Sequence, residues 1–168
     1  MIESNLQQVR ARIATACQAN GRSVEDVALL AVSKTFGPEA IRAVHAAGQR
    51  AFGENYIQEA VEKMALLADL ALEWHCIGPI QSNKTRLVAT HFDWAQSVDR
   101  LKIAERLSAQ RPAGLAPLNV CVQVNIDGGS TKSGVAPGAA LEQAQAVAAL
   151  PRLRLRGLMA IPEPGGDF

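Results

Sequence analysis

The sequence lacks any run of about 18 apolar residues, the length that a membrane-crossing helix needs. Its first segment, MIESNLQQVRARIATAC, has no apolar core of the kind a signal peptide carries. The expectation is a cytoplasmic protein with no membrane partner. Charge of one sign is also lacking: 17 basic and 16 acidic residues leave a net charge of +1. There is no basic surplus of the kind that nucleic-acid binding draws on, although a local phosphate site needs none. Cysteine is scarce. Cys17, Cys76 and Cys121 are odd in number and far apart, so they read as reduced, mostly buried thiols, and no metal site is expected. The glycine-rich stretch NIDGGSTKSGV, 125–135, lacks the Gly-Lys pair and spacing of a P-loop. No Ser-His-Asp arrangement stands out, and there is no internal repeat, low-complexity tract or linker.

What is present is alternation in a chain of 168 residues, 48% of them hydrophobic. That length suits one domain, 1–168, with a sizeable core. Leu6, Val9, Ile13 and Cys17 recur at helical spacing over 2–20, with Gly21 as a stop. A nearly continuous apolar run, VALLAVSK at 27–34, reads as a parallel strand covered on both faces. Pro38 opens a helix that Gly48 ends. Strands follow at 50–53, 72–78, 93–98, 118–126 and 153–161. Helices follow at 56–69, 82–90, 99–110 (with Asp99 as N-cap) and from Pro137 to Leu150. Six strands separated by helical crossovers mean a parallel sheet. A closed eight-unit barrel usually takes about 250 residues. The pattern alone therefore leaves two options, an open six-stranded sheet or a barrel short of two units.

Lys34 is the first candidate for chemistry. Alternation places Ala28, Leu30, Val32 and Lys34 on one strand face, so an apolar series ends in a cation at the strand's carboxyl end. That edge is where ligands bind in α/β folds. A partly desolvated lysine has reason to lose its proton, and a neutral amine can attack an aldehyde to form an imine. The alternative is a lysine that extends into solvent. In AFGENYIQEA, 51–60, Gly53 permits a tight turn, and Asn55 either caps a helix or hydrogen-bonds a ligand. In EWHCIGPIQSNKTR, 73–86, Glu73, His75 and Ile77 share a face. His75 is either a satisfied core residue or a partner for a flat ring, and Gln81, Ser82 and Asn83 are cap candidates. Lys132 is a surface charge or an accessory amine. Arg152, Arg154 and Arg156 begin the last strand, away from its carboxyl edge, and read as a polar flank.

Taken in order, LLAVSKTFG, GQRAFGENYIQEAVEK, LEWHCIGPIQSNKTRLV, FDWAQSVDRLKIAERL, LNVCVQVNI, STKSGV and LPRLRLRGLMAIPEP resemble the pyridoxal 5′-phosphate (PLP) homeostasis proteins almost from end to end. AVSKT, FGENY and WHxIGPxQxNK are the most specific of these motifs. The resemblance implies a (β/α) TIM-type barrel resembling the N-terminal domain of alanine racemase, with six of eight βα units present. It implies PLP as the cofactor, held as a Schiff base on Lys34. Asn55, His75 and Met159 fall in segments that line the cofactor cleft of such proteins and are carried over as cofactor-binding residues. Lys132 matches a family lysine in a flexible loop associated with a second PLP. Such proteins buffer PLP or deliver it, with apo PLP-dependent enzymes as candidate recipients, and a closed barrel would be a monomer.

The resemblance departs at the C-terminus. Family members continue for about two βα units that supply most of the phosphate-binding backbone and a partner for the pyridine nitrogen. The expectation is accordingly a C-terminally incomplete barrel. Two other readings stay open. A two-base racemase needs an acid/base group opposite the lysine. The look-alike enzymes use a tyrosine from a separate domain, whereas the one tyrosine here, Tyr56, lies on the second βα connection. The third reading is a scaffold that no longer holds cofactor.

Overall fold

The computed structural model describes residues 1–165. The chain opens with α1 (Ile2–Ala19), which buries Leu6 and Cys17. Gly21 takes φ +61° just past the end of this helix. Its N–H donates to Gln18 O, and Arg22 N–H donates to Cys17 O (2.9 Å). This is the Schellman arrangement, which satisfies the last helical carbonyls. Then follow β1 (Ala31–Val32), α2 (Pro38–Ala46), β2 (Ala51–Glu54), α3 (Ile57–Leu66), β3 (Glu73–Cys76), α4 (Thr85–His91), β4 (Trp94–Val98), α5 (Leu101–Gln110), β5 (Leu118–Gln123), α6 (Ala140–Ala148) and β6 (Leu153–Met159). Gly48, at φ +101°, closes α2 with a second Schellman pair, Gly48 N–H to His45 O and Gln49 N–H to Val44 O.

Every neighbouring strand pair is parallel, and the order is strictly sequential from β1 to β6. A doubly wound sheet reverses its strand order at a switch point. Sequential order with crossovers of one hand instead keeps every helix on the same side. The six strands are thus an arc of a TIM-like barrel wall, which resolves the choice that the pattern left open.

Period-two alternation divides the strands between two environments. Phe52, Trp74, Cys76, Ala95, Val120 and Val122 face the helices and belong to one core that also takes in Ile41, Ile103, Leu107 and Val147. The opposite, inward row carries Val32, Gly53 and His75 in register. The inward face carries His75, Gln96 and Arg156 beside the apolar Val32 and Trp94.

Three expectations are corrected. The strand expected over 27–34 pairs only at Ala31–Val32, and Val32 is 49% exposed on the inward face rather than covered. Arg100, not Asp99, is the N-cap of α5, and no side chain caps that helix. Pro137 opens a 3-10 turn, Pro137–Ala139, that leads into α6.

Candidate functional site

Lys34 lies two residues past Val32 and so continues the inward row at the carboxyl edge, alongside Asn55 at the end of β2. It is exposed. The partial desolvation expected from its apolar run is therefore not what the structure shows. Its backbone is closely held instead. Phe36 N–H donates to Ser33 O (3.1 Å), and Thr35 sits at φ +67°. A hydrogen-bonded four-residue turn with positive φ at its third position has the features of type II, which ordinarily takes glycine there. Lys34 occupies the second position, which leaves its side chain free.

Behind this turn lies a buried ion cluster. Lys63 Nζ donates to Ser33 O (2.9 Å), Glu54 Oε1 (2.7 Å) and Glu59 Oε1 (2.6 Å). An ammonium has three protons, so all are used. Ser33 Oγ donates to Glu54 Oε1 (3.2 Å), and Thr35 N–H donates to Glu59 Oε1 (3.0 Å). Glu54 is 0% and Lys63 7% exposed at the side chain. Burial works against the Lys63 ammonium, but the two carboxylates outweigh it and raise its pKa. Burial lifts the Glu54 carboxyl above its usual range, against the pull of Lys63. The Glu59 carboxyl is lowered by Lys63 and by the Thr35 N–H.

Asn55 does not cap α3, whose N-cap is Tyr56 without a side-chain bond. Its Oδ1 is buried and has no hydrogen-bond partner among the described residues, an unsatisfied acceptor that a ligand donor would relieve. Asn55 lines a cavity of about 220 Å³ together with Ile77, Gln123, Asn125, Lys132 and Ile161. Lys34, His75 and Met159 are not among its lining residues. The β3 exit runs close beside Asn55. A Cβ on Gly78 would lie 2.5 Å from Asn55 O, so only glycine fits there. Lys132 is held by Asp127 Oδ2 (3.3 Å), Glu163 Oε1 (3.1 Å) and Ile161 O (3.3 Å). Met159 is paired with Gln123 in the last row of the sheet, and its carbonyl accepts Val124 N–H (2.8 Å).

His75 lies one inward step below the row of Lys34 and Asn55. Its ring stacks on Trp94 at 4.9 Å and 14°, and the Arg156 guanidinium lies 5.2 Å from the centre of the same Trp94 ring. Gln96 Nε2 sits 2.9 Å from His75 Nδ1, and Glu73 Oε1 sits 2.6 Å from Nε2. A carboxylate only accepts, so the proton is on Nε2, and Nδ1 accepts from the Gln96 amide. Desolvation lowers the His75 pKa, against the opposing pull of Glu73 and Asp93. Both ring nitrogens are thus satisfied within the protein.

The residues that sequence reasoning missed lie against the Lys34 turn rather than in the cavity: Lys63, Glu59 and the carboxylate role of Glu54. The signal available was a lysine four residues after a glutamate on α3, a spacing that normally means only a solvated pair. Arg156, read as a flank, reaches the interior stack. All three cysteines are buried, and burial pushes the Cys76 thiol up to about 12. Among the described residues no group of three His, Cys, Asp or Glu side chains is placed to hold a metal, and no helix is long and apolar enough to cross a membrane.

Residues 4–164 match the family described as alanine racemase, N-terminal domain. The pyridoxal phosphate homeostasis protein of Pseudomonas aeruginosa is 64% identical over 166 residues, 99% of this chain and 72% of that protein. Its counterpart in Escherichia coli K12 is 56% identical over 170 residues, 99% and 73% of the two chains. Among solved structures, PipY of Synechococcus elongatus with PLP bound superposes with a TM-score of 0.82 at 36% identity, covering 98% of this chain and 72% of that one. Alanine racemase of E. faecalis superposes at 0.67 and 19% identity, over 92% of this chain and 41% of the enzyme, a likeness of fold. The sequential parallel sheet, the match across 4–164 and the identity to these relatives place the chain in the pyridoxal phosphate homeostasis protein family, on the fold of the alanine racemase N-terminal domain.

Proposed function

We propose that the chain binds PLP through an imine between Lys34 Nζ and the cofactor aldehyde, with loss of water, and serves intracellular PLP homeostasis without catalytic turnover. The observation that carries this reading is the position of Lys34: inward-facing, exposed, at the carboxyl edge of the barrel wall, on a turn whose peptide groups are fixed on both sides of it. The name of the curated relatives and the PLP bound in PipY support it. In this reading Asn55 Oδ1 and Met159 border the cofactor at the same edge. His75, one row deeper with its nitrogens engaged, offers a ring face and no proton.

An exposed amine also suits release. An acceptor amine from an apo PLP-dependent enzyme reaches the imine carbon by transimination, which frees Lys34 and moves PLP onward. We place the whole of 1–168 in one PLP-binding domain acting in the cytoplasm. Tyr56 is 55% exposed on the connection between β2 and α3, a position that does not favour it as the second acid/base group of a racemase.

The test is a PLP titration of the chain followed by borohydride reduction and peptide mass mapping. The expected result is one stoichiometric adduct, on Lys34, with visible imine absorbance that Lys34→Ala abolishes. Labelling spread over surface lysines, or none, overturns the proposal. Interconversion of alanine enantiomers above the level of Lys34→Ala would make the chain an enzyme instead.

A further inference from the structure

The turn that carries Lys34 holds a β-branched residue, Thr35, at φ +67°. The left-handed region is costly for such a residue, and it persists only where the surroundings enforce it. Two contacts enforce it here. Glu59 Oε1 accepts Thr35 N–H at 3.0 Å, and Lys63 Nζ grips Ser33 O at 2.9 Å from within the buried cluster. One side chain therefore fixes the peptide group before Lys34 and another fixes the one after it, and the two are joined at 2.6 Å. Glu54, with no exposed area, anchors Lys63 to β2 and takes the Ser33 hydroxyl as well.

The cluster contributes no group to the cavity, and its three charges are buried or half-buried around one backbone turn. A buried ion pair is weak evidence for stability, because desolvation offsets most of its attraction. What it supplies here is geometry: α3 is tied to the strand end that presents the amine.

We infer that Lys63 and Glu59 are positioning residues for Lys34, forming a clamp that enforces the strained 33–36 turn and so presents the Lys34 amine for imine formation. The inference rests on the PLP reading above, in that its consequence is read on the imine. The clamp itself acts on the unliganded turn. Without it, Thr35 relaxes to negative φ and Lys34 samples directions away from the barrel interior. A misplacement of about 1 Å is enough to slow an attack on a carbonyl carbon by up to about 100-fold.

The test uses the full chain carrying Glu59→Ala, a half-exposed position whose loss leaves the core intact. Imine formation with PLP, followed by visible absorbance, is expected to slow by about tenfold, the factor that follows from relaxing one strained residue. Thr35→Gly in the same background is expected to recover part of that loss, because glycine takes positive φ about as readily as negative φ. A purely structural role for Glu59 gives no such rescue. Imine formation at the parent rate in Glu59→Ala, or no recovery on adding Thr35→Gly, overturns the clamp. Should Glu59→Ala not fold, Glu59→Gln, which removes the charge from both contacts, is put through the same comparison.

Amide hydrogen exchange without PLP at Phe36, whose N–H closes the turn on Ser33 O and does not touch Glu59, separates this inference from the PLP reading. If the parent chain gives no Lys34 adduct, the PLP reading fails and exchange alone decides the clamp. Exchange about tenfold faster in Glu59→Ala upholds it, by the same strain argument, and unchanged exchange overturns it.

Discussion

Buried polar groups near the site are matched one to one, and the exceptions are informative. Lys63 spends all three protons, and His75 has a partner at each nitrogen. Asn55 Oδ1 and Glu54 Oε2 are left without one among the described residues. Of these two, only Asn55 lines the cavity, which makes it the residue with reason to meet a ligand. His75 is the residue whose protonation has a consequence for the whole protein. Its ordinary value is 6.5, and burial lowers it in the folded chain. Just below 6.5 the unfolded chain therefore binds more protons than the folded one, and stability falls as pH falls until the folded-state value is passed. Urea unfolding above and below 6.5 is expected to show this loss in the parent and a shallower slope in His75→Gln. Equal slopes would mean that His75 is not held neutral.

At the scale of elements, helix ends were legible wherever the signal is a backbone requirement. Gly21 and Gly48 read as stops, and both take positive φ in Schellman motifs, because only glycine occupies that region without cost. Pro38 sits in the first turn of α2 as read. The start of α5 was not legible. Asp99 is the better capping residue by type, but the register of Leu101, Ile103, Ala104 and Leu107 on the core begins the helix one residue later, with Arg100 at the cap. Arg100 has extended φ and ψ, −141° and 142°, and no side-chain bond to the free N–H groups. Its contact with Asp99 is long, 3.7 Å, and exposed, so little is lost on replacing it. Arg100→Ser is expected to stabilise the chain by about 1 kcal/mol, a rise in melting temperature of roughly 2–4 °C. A fall in melting temperature would show that the extended backbone there does not suffice for capping.

At the scale of the molecule, one core runs along the helix-facing side of all six strands, with Ile41 of α2 and Val147 of α6 in the same cluster. No boundary divides it, so unfolding is expected as a single transition. The two tryptophans report on opposite sides of the wall, since Trp74 is buried toward the helices and Trp94 lies in the interior stack with His75 and Arg156. Denaturation curves of Trp74→Phe and Trp94→Phe followed by fluorescence should coincide with each other and with far-ultraviolet circular dichroism, after allowance for the stability change of each variant. An interior signal lost before the secondary structure would show that the inward face loosens independently of the core.

What the sequence by itself determined is whatever depends on neighbours along the chain. The period of two in ALLAVSK turned Lys34 to the inward face, the alternation of strand and helix made the sheet parallel, and glycine and proline marked the turns. These follow from local sterics and side-chain spacing, which act within a few residues. The tertiary structure decided what the sequential strand order brings side by side. It put Lys63 against Ser33, 30 residues away, and Gln96 against His75, 21 residues away. It exposed Val32 where an apolar run suggested cover, and it left Asn55 Oδ1 without a partner among the described residues. Polar groups pair with whatever the fold delivers within about 3 Å. No periodicity in the chain encodes that meeting, so the inward position of Lys34 was legible from the sequence while the ion cluster against its turn was not.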